Sequence, residues 1–90
     1  MTKERIIIES MASDLKRVCL GLERKSDKMA ERFLAEAEKR RNEAVSIALP
    51  NYIKDILDKV SFLRNNIHQS RAAEDCLMYS VLLQNFARRK

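Results

Sequence analysis

The sequence predicts an all-α fold of three to four helices, packed as a small helical bundle or as interlocked helical hairpins. The 90 residues contain one Gly and one Pro, whereas β-rich folds need many tight turns, which use Gly, Pro and Asn-Gly pairs. Good helix formers such as Ala, Leu, Glu, Lys and Arg dominate the remaining composition. The length suits one domain, which we place at residues 1–90.

The first helix is predicted to run from about residue 3 to residue 22. Its apolar residues recur at steps of three and four and form one wide stripe. The stripe consists of Ile7, Ile8, Met11, Ala12, Leu15, Val18, Cys19 and Leu22. Gly21 suits a C-terminal cap, and the polar run 23–27 is expected to form the loop. The isoleucines at 6–8 could instead start a strand, which would have to pair across a dimer.

The second helix is predicted over residues 27–49, with Ser26 or Asp27 as its N-cap. This helix has an apolar stripe on one face. On the opposite face basic and acidic residues alternate, which is typical of a solvated helix surface. Arg41 lies on the stripe itself. Either its stem packs on the core edge while the guanidinium reaches water or a carboxylate, or its charge pairs with an acidic group across an interface. The stripe consists of Ala30, Phe33, Leu34, Ala37, Ala44, Val45 and Ala48.

Pro50 disfavours helix at the preceding residue and lacks a backbone donor. We expect it to break the chain at the start of a third helix over residues 51–67. A kink in one continuous helix is the alternative, because the apolar face continues across the proline. Phe62 points away from that face, which makes it a candidate interface contact. The face consists of Leu49, Tyr52, Ile53, Ile56, Val60, Leu63 and Ile67.

The fourth helix is predicted over residues 71–88, with Ser70 as its N-cap. It is apolar around nearly its whole circumference: its narrowest apolar face consists of Ala73, Cys76, Leu77 and Ser80, and other apolar residues lie opposite. A helix of a small monomer keeps one side in solvent, so the second surface should be covered by another chain. We therefore expect a homo-oligomer, or a complex with a protein partner that the sequence does not identify.

These features predict a non-enzymatic, self-associating helical interaction module that acts as an adaptor, a regulator or a subunit of a larger assembly. Aromatic residues, Met and Arg are enriched in protein interfaces. The residues expected at the oligomer or partner interface are Met78, Tyr79, Leu82, Phe86, Phe62 and Arg41.

No nucleophile, base or metal ligand is seen beside a supporting group, so we expect no catalytic site, no metal and no cofactor. Cys19 and Cys76 fall on apolar faces, where cysteine packs as a small hydrophobe, and neither lies one helical turn from His68. Arg64, Asn65 and His68 resemble the Arg/His motif of small helical HEPN-type ribonucleases, in which more residues separate the two. That resemblance implies the alternative of an RNA-cleaving enzyme built on Arg64 and His68.

The formal net charge of +5 favours anionic partners. A nucleic-acid-associated protein that binds phosphates is therefore the alternative function. No signal peptide is visible and no apolar stretch approaches the length of a membrane span, so we expect a cytoplasmic protein without a membrane partner. The candidate phosphate contacts are Arg24, Lys25 and Lys28 around the first loop, and Arg88, Arg89 and Lys90 in the C-terminal tail.

Overall fold

The computed structural model describes residues 3–69 and 71–89. This part of the chain contains no strand, which confirms the predicted all-α class and excludes the strand alternative at residues 6–8. The predicted N-cap Ser70 and the terminal Lys90 lie outside the described residues. The helices are α1 (Lys3–Glu23), α2 (Asp27–Ala44), α3 (Asn51–Asn66) and α4 (Ala72–Arg88).

The four helices form an up-and-down bundle that measures 35 × 21 × 19 Å. Each helix packs against the next in the sequence, and α4 closes the bundle against α1. Contacts between α2 and α3 run in opposite directions along the two helices: Arg41 meets Leu57, whereas Glu38, earlier in α2, meets Arg64, later in α3. Tyr52 at the start of α3 packs against Phe86 near the end of α4. Neighbouring helices are therefore antiparallel, and α2 lies diagonally opposite α4.

The backbone of α1 approaches α2 and α4 more closely than α3 approaches its neighbours. Gly21 lies inside α1 and is not the C-terminal cap that the sequence predicted. A Cβ added at Gly21 would lie 2.7 Å from the backbone nitrogen of Ala30 in α2. A glycine at this position therefore allows α1 and α2 to approach closely.

The turn between α1 and α2 satisfies the backbone groups that the two helix ends leave free. Lys25 adopts a left-handed conformation, with φ of 57°. The Ser26 N–H donates to the Gly21 carbonyl at 2.8 Å, and the Lys25 N–H donates to the Leu22 carbonyl at 3.2 Å. These two bonds are those of a Schellman motif, in which the left-handed position is usually glycine. The Ser26 hydroxyl then accepts from the Met29 N–H, which confirms Ser26 as the N-cap of α2.

The second helix ends at Ala44, before the predicted limit of residue 49. Val45 is consequently 58% exposed, although the sequence placed it on the buried stripe. Pro50 directly precedes α3 in an extended conformation, with ψ of 155°. Its carbonyl accepts hydrogen bonds from the N–H groups of Ile53 and Lys54, both at 3.1 Å. The predicted break at Pro50 is confirmed, and the continuous kinked helix is excluded.

Candidate interaction surface

The inner face of α4 belongs to the core of the bundle. The Ser80 hydroxyl is buried and donates to the Ala12 carbonyl of α1 at 2.8 Å. Because the two groups satisfy each other, a polar side chain can be buried here without the cost of an unpaired hydroxyl. The buried residues of the helix are Ala72, Cys76, Tyr79, Ser80, Leu83, Phe86 and Ala87.

Tyr79 and Phe86 lie on this inner face, so the prediction that they line the opposite surface is wrong. They are 8% and 9% exposed. The Phe86 ring packs edge to face against Tyr52 of α3, with 6.2 Å between the ring centroids. Burial raises the pKa of Tyr79. The physical reason is that α4 sits between α1 and α3, so its buried arc extends toward α3 beyond the narrowest apolar face.

Four apolar side chains of α4 point away from the bundle, and we call them the α4 outer patch. They recur at steps of one, three and one along the helix, so they cover two adjacent turns of a single side. Their exposed fractions range from 40% to 49%. The members of the patch are Leu77, Met78, Val81 and Leu82.

The patch retains two of the residues predicted for the interface and adds two that the sequence reasoning placed elsewhere. Met78 and Leu82 were expected on this side. Leu77 belongs to the predicted narrowest apolar face, and Val81 is not among the residues predicted for the interface. The predicted face is centred near Ser80, whereas in the structure the buried arc is centred near Leu83. The burial of Phe86 and Tyr79 rotates the whole pattern toward α3.

Phe62 of α3 extends the exposed apolar surface beside α4. It is 60% exposed. A groove between the two helices is lined by Phe62 and Leu63 on one side and by Asp75 and Tyr79 on the other. The predicted interface residue Phe62 is therefore solvent-accessible and next to α4.

Arg41 lies on the far side of the bundle from the α4 outer patch. Its Nε donates to the Leu57 carbonyl of α3 at 3.3 Å. Its Nη2 is 3.9 Å from the Asp58 carboxylate. The guanidinium thus reaches from the core edge to α3 of the same chain. This agrees with the first interpretation of the sequence, in which the stem packs on the core edge and the guanidinium reaches water or a carboxylate. The structure does not bring Arg41 together with the other predicted interface residues.

The predicted phosphate contacts fall into two groups at opposite ends of the bundle. Arg24, Lys25 and Lys28 surround the α1–α2 turn, whereas Arg88 and Arg89 end α4. Because α4 begins near the end of α1 and runs antiparallel to it, the two groups are separated by roughly 25 Å, the length of a 17-residue helix at about 1.5 Å per residue. They do not form one continuous basic surface.

Arg64 of α3 forms an ion pair with Glu38 of α2. Its Nη2 donates to Glu38 Oε1 at 2.7 Å, and its Nε donates to Glu38 Oε2 at 3.4 Å. The hydrogen bond and charge of Glu38 raise the pKa of Arg64. His68, the other residue of the proposed ribonuclease pair, is exposed in the turn after α3, where it lines a groove with Leu22 and Ala73. These contacts give Arg64 a structural role between two helices.

Both cysteines are buried, which confirms that they pack as small hydrophobes. Cys76 is 1% exposed, and burial raises the pKa of its thiol to about 12. The Cys19 thiol donates to the Glu23 carboxylate at 3.5 Å, and burial raises its pKa as well. Neutral, buried thiols are poor nucleophiles. Across residues 3–69 and 71–89 there is no group of three His, Cys, Asp or Glu side chains that could hold a metal ion.

Comparisons with protein-family models, with curated proteins and with solved structures found no match to this chain. Among the four described helices, none is both long enough and apolar enough to cross a membrane. Function is therefore inferred from the residues and their arrangement, and the α4 outer patch is the feature that most needs an explanation.

Proposed function

We propose that the chain is a non-enzymatic, self-associating helical interaction module, and that the α4 outer patch is its principal contact surface. The observation that carries the proposal is the exposure of Leu77, Met78, Val81 and Leu82 on one side of a helix whose other side is already buried. Isolated surface hydrophobes are common in soluble proteins, but contiguous ones mark interaction sites or aggregation hazards.

The surroundings of the patch support the same proposal. No Lys, Arg, Asp or Glu occurs on α4 between Asp75 and Arg88. The centres of protein interfaces are depleted in charged residues, while Met and aromatic residues are enriched there. Met78 within the patch and the exposed Phe62 beside it fit this composition. In contrast, α2 exposes charged residues that pair along the helix, as Lys39 does with Glu36. The charged surface of α2 is therefore typical of a face that contacts solvent.

Such a module would serve as an adaptor, a regulator or a subunit of a larger assembly. Binding to nucleic-acid phosphates stays a prediction from the net charge, because the two basic groups lie at opposite ends of the bundle. The proposed interface and the core of the chain are separate surfaces, so association can be tested without unfolding the protein.

The test compares two identical substitutions at exposed valines. Val81→Asp places a charge in the α4 outer patch, and Val45→Asp places the same charge in the α2–α3 connection. Val81 and Val45 are 46% and 58% exposed, so both variants are expected to fold. Burying an unpaired carboxylate in an interface is strongly unfavourable. Sedimentation velocity should therefore show a dimer for the native chain and for Val45→Asp, and a monomer for Val81→Asp.

Circular dichroism supplies the control for folding, since all three proteins should show the same helix content. An unchanged association constant in Val81→Asp would refute the proposed surface. The same holds for equal losses of association in Val81→Asp and Val45→Asp, because such losses would reflect added charge and not its position.

A further inference from the structure

Charges are separated along α4 in a way found on no other described helix. The first turn carries Glu74 and Asp75, and the C-terminal end carries Arg88 and Arg89. Glu74, Arg88 and Arg89 are exposed, and Asp75 is half-buried. The outward-facing residues between these ends are the α4 outer patch and the neutral side chains of residues 84 and 85. The outer face is therefore apolar in the middle and basic at its C-terminal end, and its N-terminal end carries the acidic pair 74–75 next to the exposed N-cap residue Arg71.

The centre of this charge pattern lies within the α4 outer patch, about two residues C-terminal to the midpoint of residues 77–82. The midpoint between the acidic pair 74–75 and the basic pair 88–89 falls between Val81 and Leu82. The two pairs are separated by 14 residues, which corresponds to roughly 21 Å at about 1.5 Å per residue. A two-fold axis that runs between two facing copies beside this midpoint, perpendicular to both α4 helices, places the acidic pair of one copy opposite the basic pair of the other.

We propose that the occupant of the α4 outer patch is a second copy of this chain, with the two α4 helices antiparallel about a two-fold axis near Val81 and Leu82. This inference rests on the proposed function and specifies its geometry. In a two-fold dimer each surface meets itself, so it must be self-complementary. Antiparallel helices place the acidic pair 74–75 of each copy opposite the basic pair 88–89 of the other.

A parallel pairing of the same helices would have the opposite electrostatic result. It would place the acidic ends together and the basic ends together, and like charges at an interface are unfavourable. Antiparallel helices also set the positive N-terminal end of each helix dipole beside the negative C-terminal end of its partner. The apolar centre remains in contact in either orientation, so the charged ends select the antiparallel one.

A charge-swap series tests this geometry. The first variant, Glu74→Lys with Asp75→Lys, makes both ends of α4 basic. The second, Arg88→Glu with Arg89→Glu, makes both ends acidic. The third combines all four substitutions and so exchanges the two ends. Dimer dissociation constants are measured by sedimentation equilibrium at low salt, where interactions between exposed charges are least screened.

The antiparallel dimer predicts that each of the first two variants dissociates about tenfold or more easily than the native chain, because both ends then bring like charges together. The quadruple variant, which carries all four substitutions, should recover most of the native affinity, since it restores opposite charges at both ends. A mixture of the first two variants should form a heterodimer in preference to either homodimer.

The quadruple variant also distinguishes a loss of charge pairing between the two copies from a loss of stability within α4. It contains every substitution that opposes the α4 dipole, so a purely local loss of stability would make it the weakest of the series. If the quadruple variant dimerised no more tightly than the first two variants, the antiparallel arrangement would be overturned. Unchanged dimer affinity throughout the series would also overturn the antiparallel arrangement. If Val81→Asp still abolished the dimer in that case, self-association through the α4 outer patch would stand without this geometry. A native chain that is monomeric would instead refute the proposed function.

Discussion

The two sides of α4 are both apolar, yet they differ in whether other parts of the chain cover them. On the inner side, Ser80 is paired with a backbone carbonyl of α1, and Phe86 is packed against Tyr52 of α3. On the outer side, Val81 and Leu82 are 46% and 40% exposed, with no other described part of the chain over them. Hydrophobicity alone therefore does not define the core of a small bundle. Position between neighbouring helices does.

The two sides also differ in the amount of free space. The inner side carries small residues that pack closely: the Ser80 hydroxyl lies 2.8 Å from the Ala12 carbonyl of α1, and Ala87 is fully buried. The outer patch carries larger side chains that open toward solvent. Substitutions on the inner side should therefore change the stability of the fold, whereas substitutions on the outer side should change association.

The largest expected difference is between the neighbouring residues Leu83 and Leu82. Leu83 is fully buried, so Leu83→Ala should lower the free energy of unfolding by about 2–5 kcal/mol. Leu82→Ala should change it by less than about 1 kcal/mol when the protein is dilute enough to be monomeric. Urea denaturation at low protein concentration measures both. Equal destabilisation by the two variants would contradict the distinction between the two sides.

Gly21→Ala should have an intermediate effect. The new methyl group lies too close to the Ala30 backbone, so α1 and α2 must separate slightly or strain must be stored, at a cost of about 1–3 kcal/mol. Ser13→Thr provides the control, because it also adds one methyl group to α1 but at an exposed position. Thermal denaturation should show a lowered Tm for Gly21→Ala and a nearly unchanged Tm for Ser13→Thr. A stabilised Gly21→Ala would show that the close approach is not required.

The smallest expected effect is a gain. Lys25→Gly should raise the free energy of unfolding by about 0.5–1 kcal/mol, because glycine adopts the left-handed conformation of this turn without steric cost. Arg24→Gly removes the same charge from the neighbouring residue, where φ is not positive, and should be neutral or destabilising. Chemical denaturation distinguishes the two. A loss of stability in Lys25→Gly would mean that its side chain contributes more than the backbone strain costs.

Much of the fold follows from periodicity in the sequence. Of the eight residues predicted for the apolar stripe of α1, seven are buried and Leu22 is half-buried. A long helix with one apolar side has one clear choice of inward face. Pro50 likewise marks the start of α3, because its ring and its missing N–H act locally.

The end of α2 and the orientation of α4 could not be read from the sequence in the same way. No glycine or proline marks Ala44, and the apolar stripe continues past it even though the helix does not. The fourth helix is apolar on nearly every side, so periodicity offers several inner faces of similar quality. The position of α3 decides among them by covering Tyr79 and Phe86 and leaving Leu77 and Val81 exposed. Such a choice depends on tertiary packing, which a single helix pattern does not contain.

The most direct test of self-association is the mass of the native chain in solution across a wide range of concentrations. Sedimentation equilibrium from low to high micromolar concentration should fit a reversible monomer–dimer equilibrium, with the dimer dominant at the upper end. Val81→Asp should fit a monomer throughout the same range. A native chain that remains monomeric at high micromolar concentration would contradict the claim that the α4 outer patch is a self-association surface.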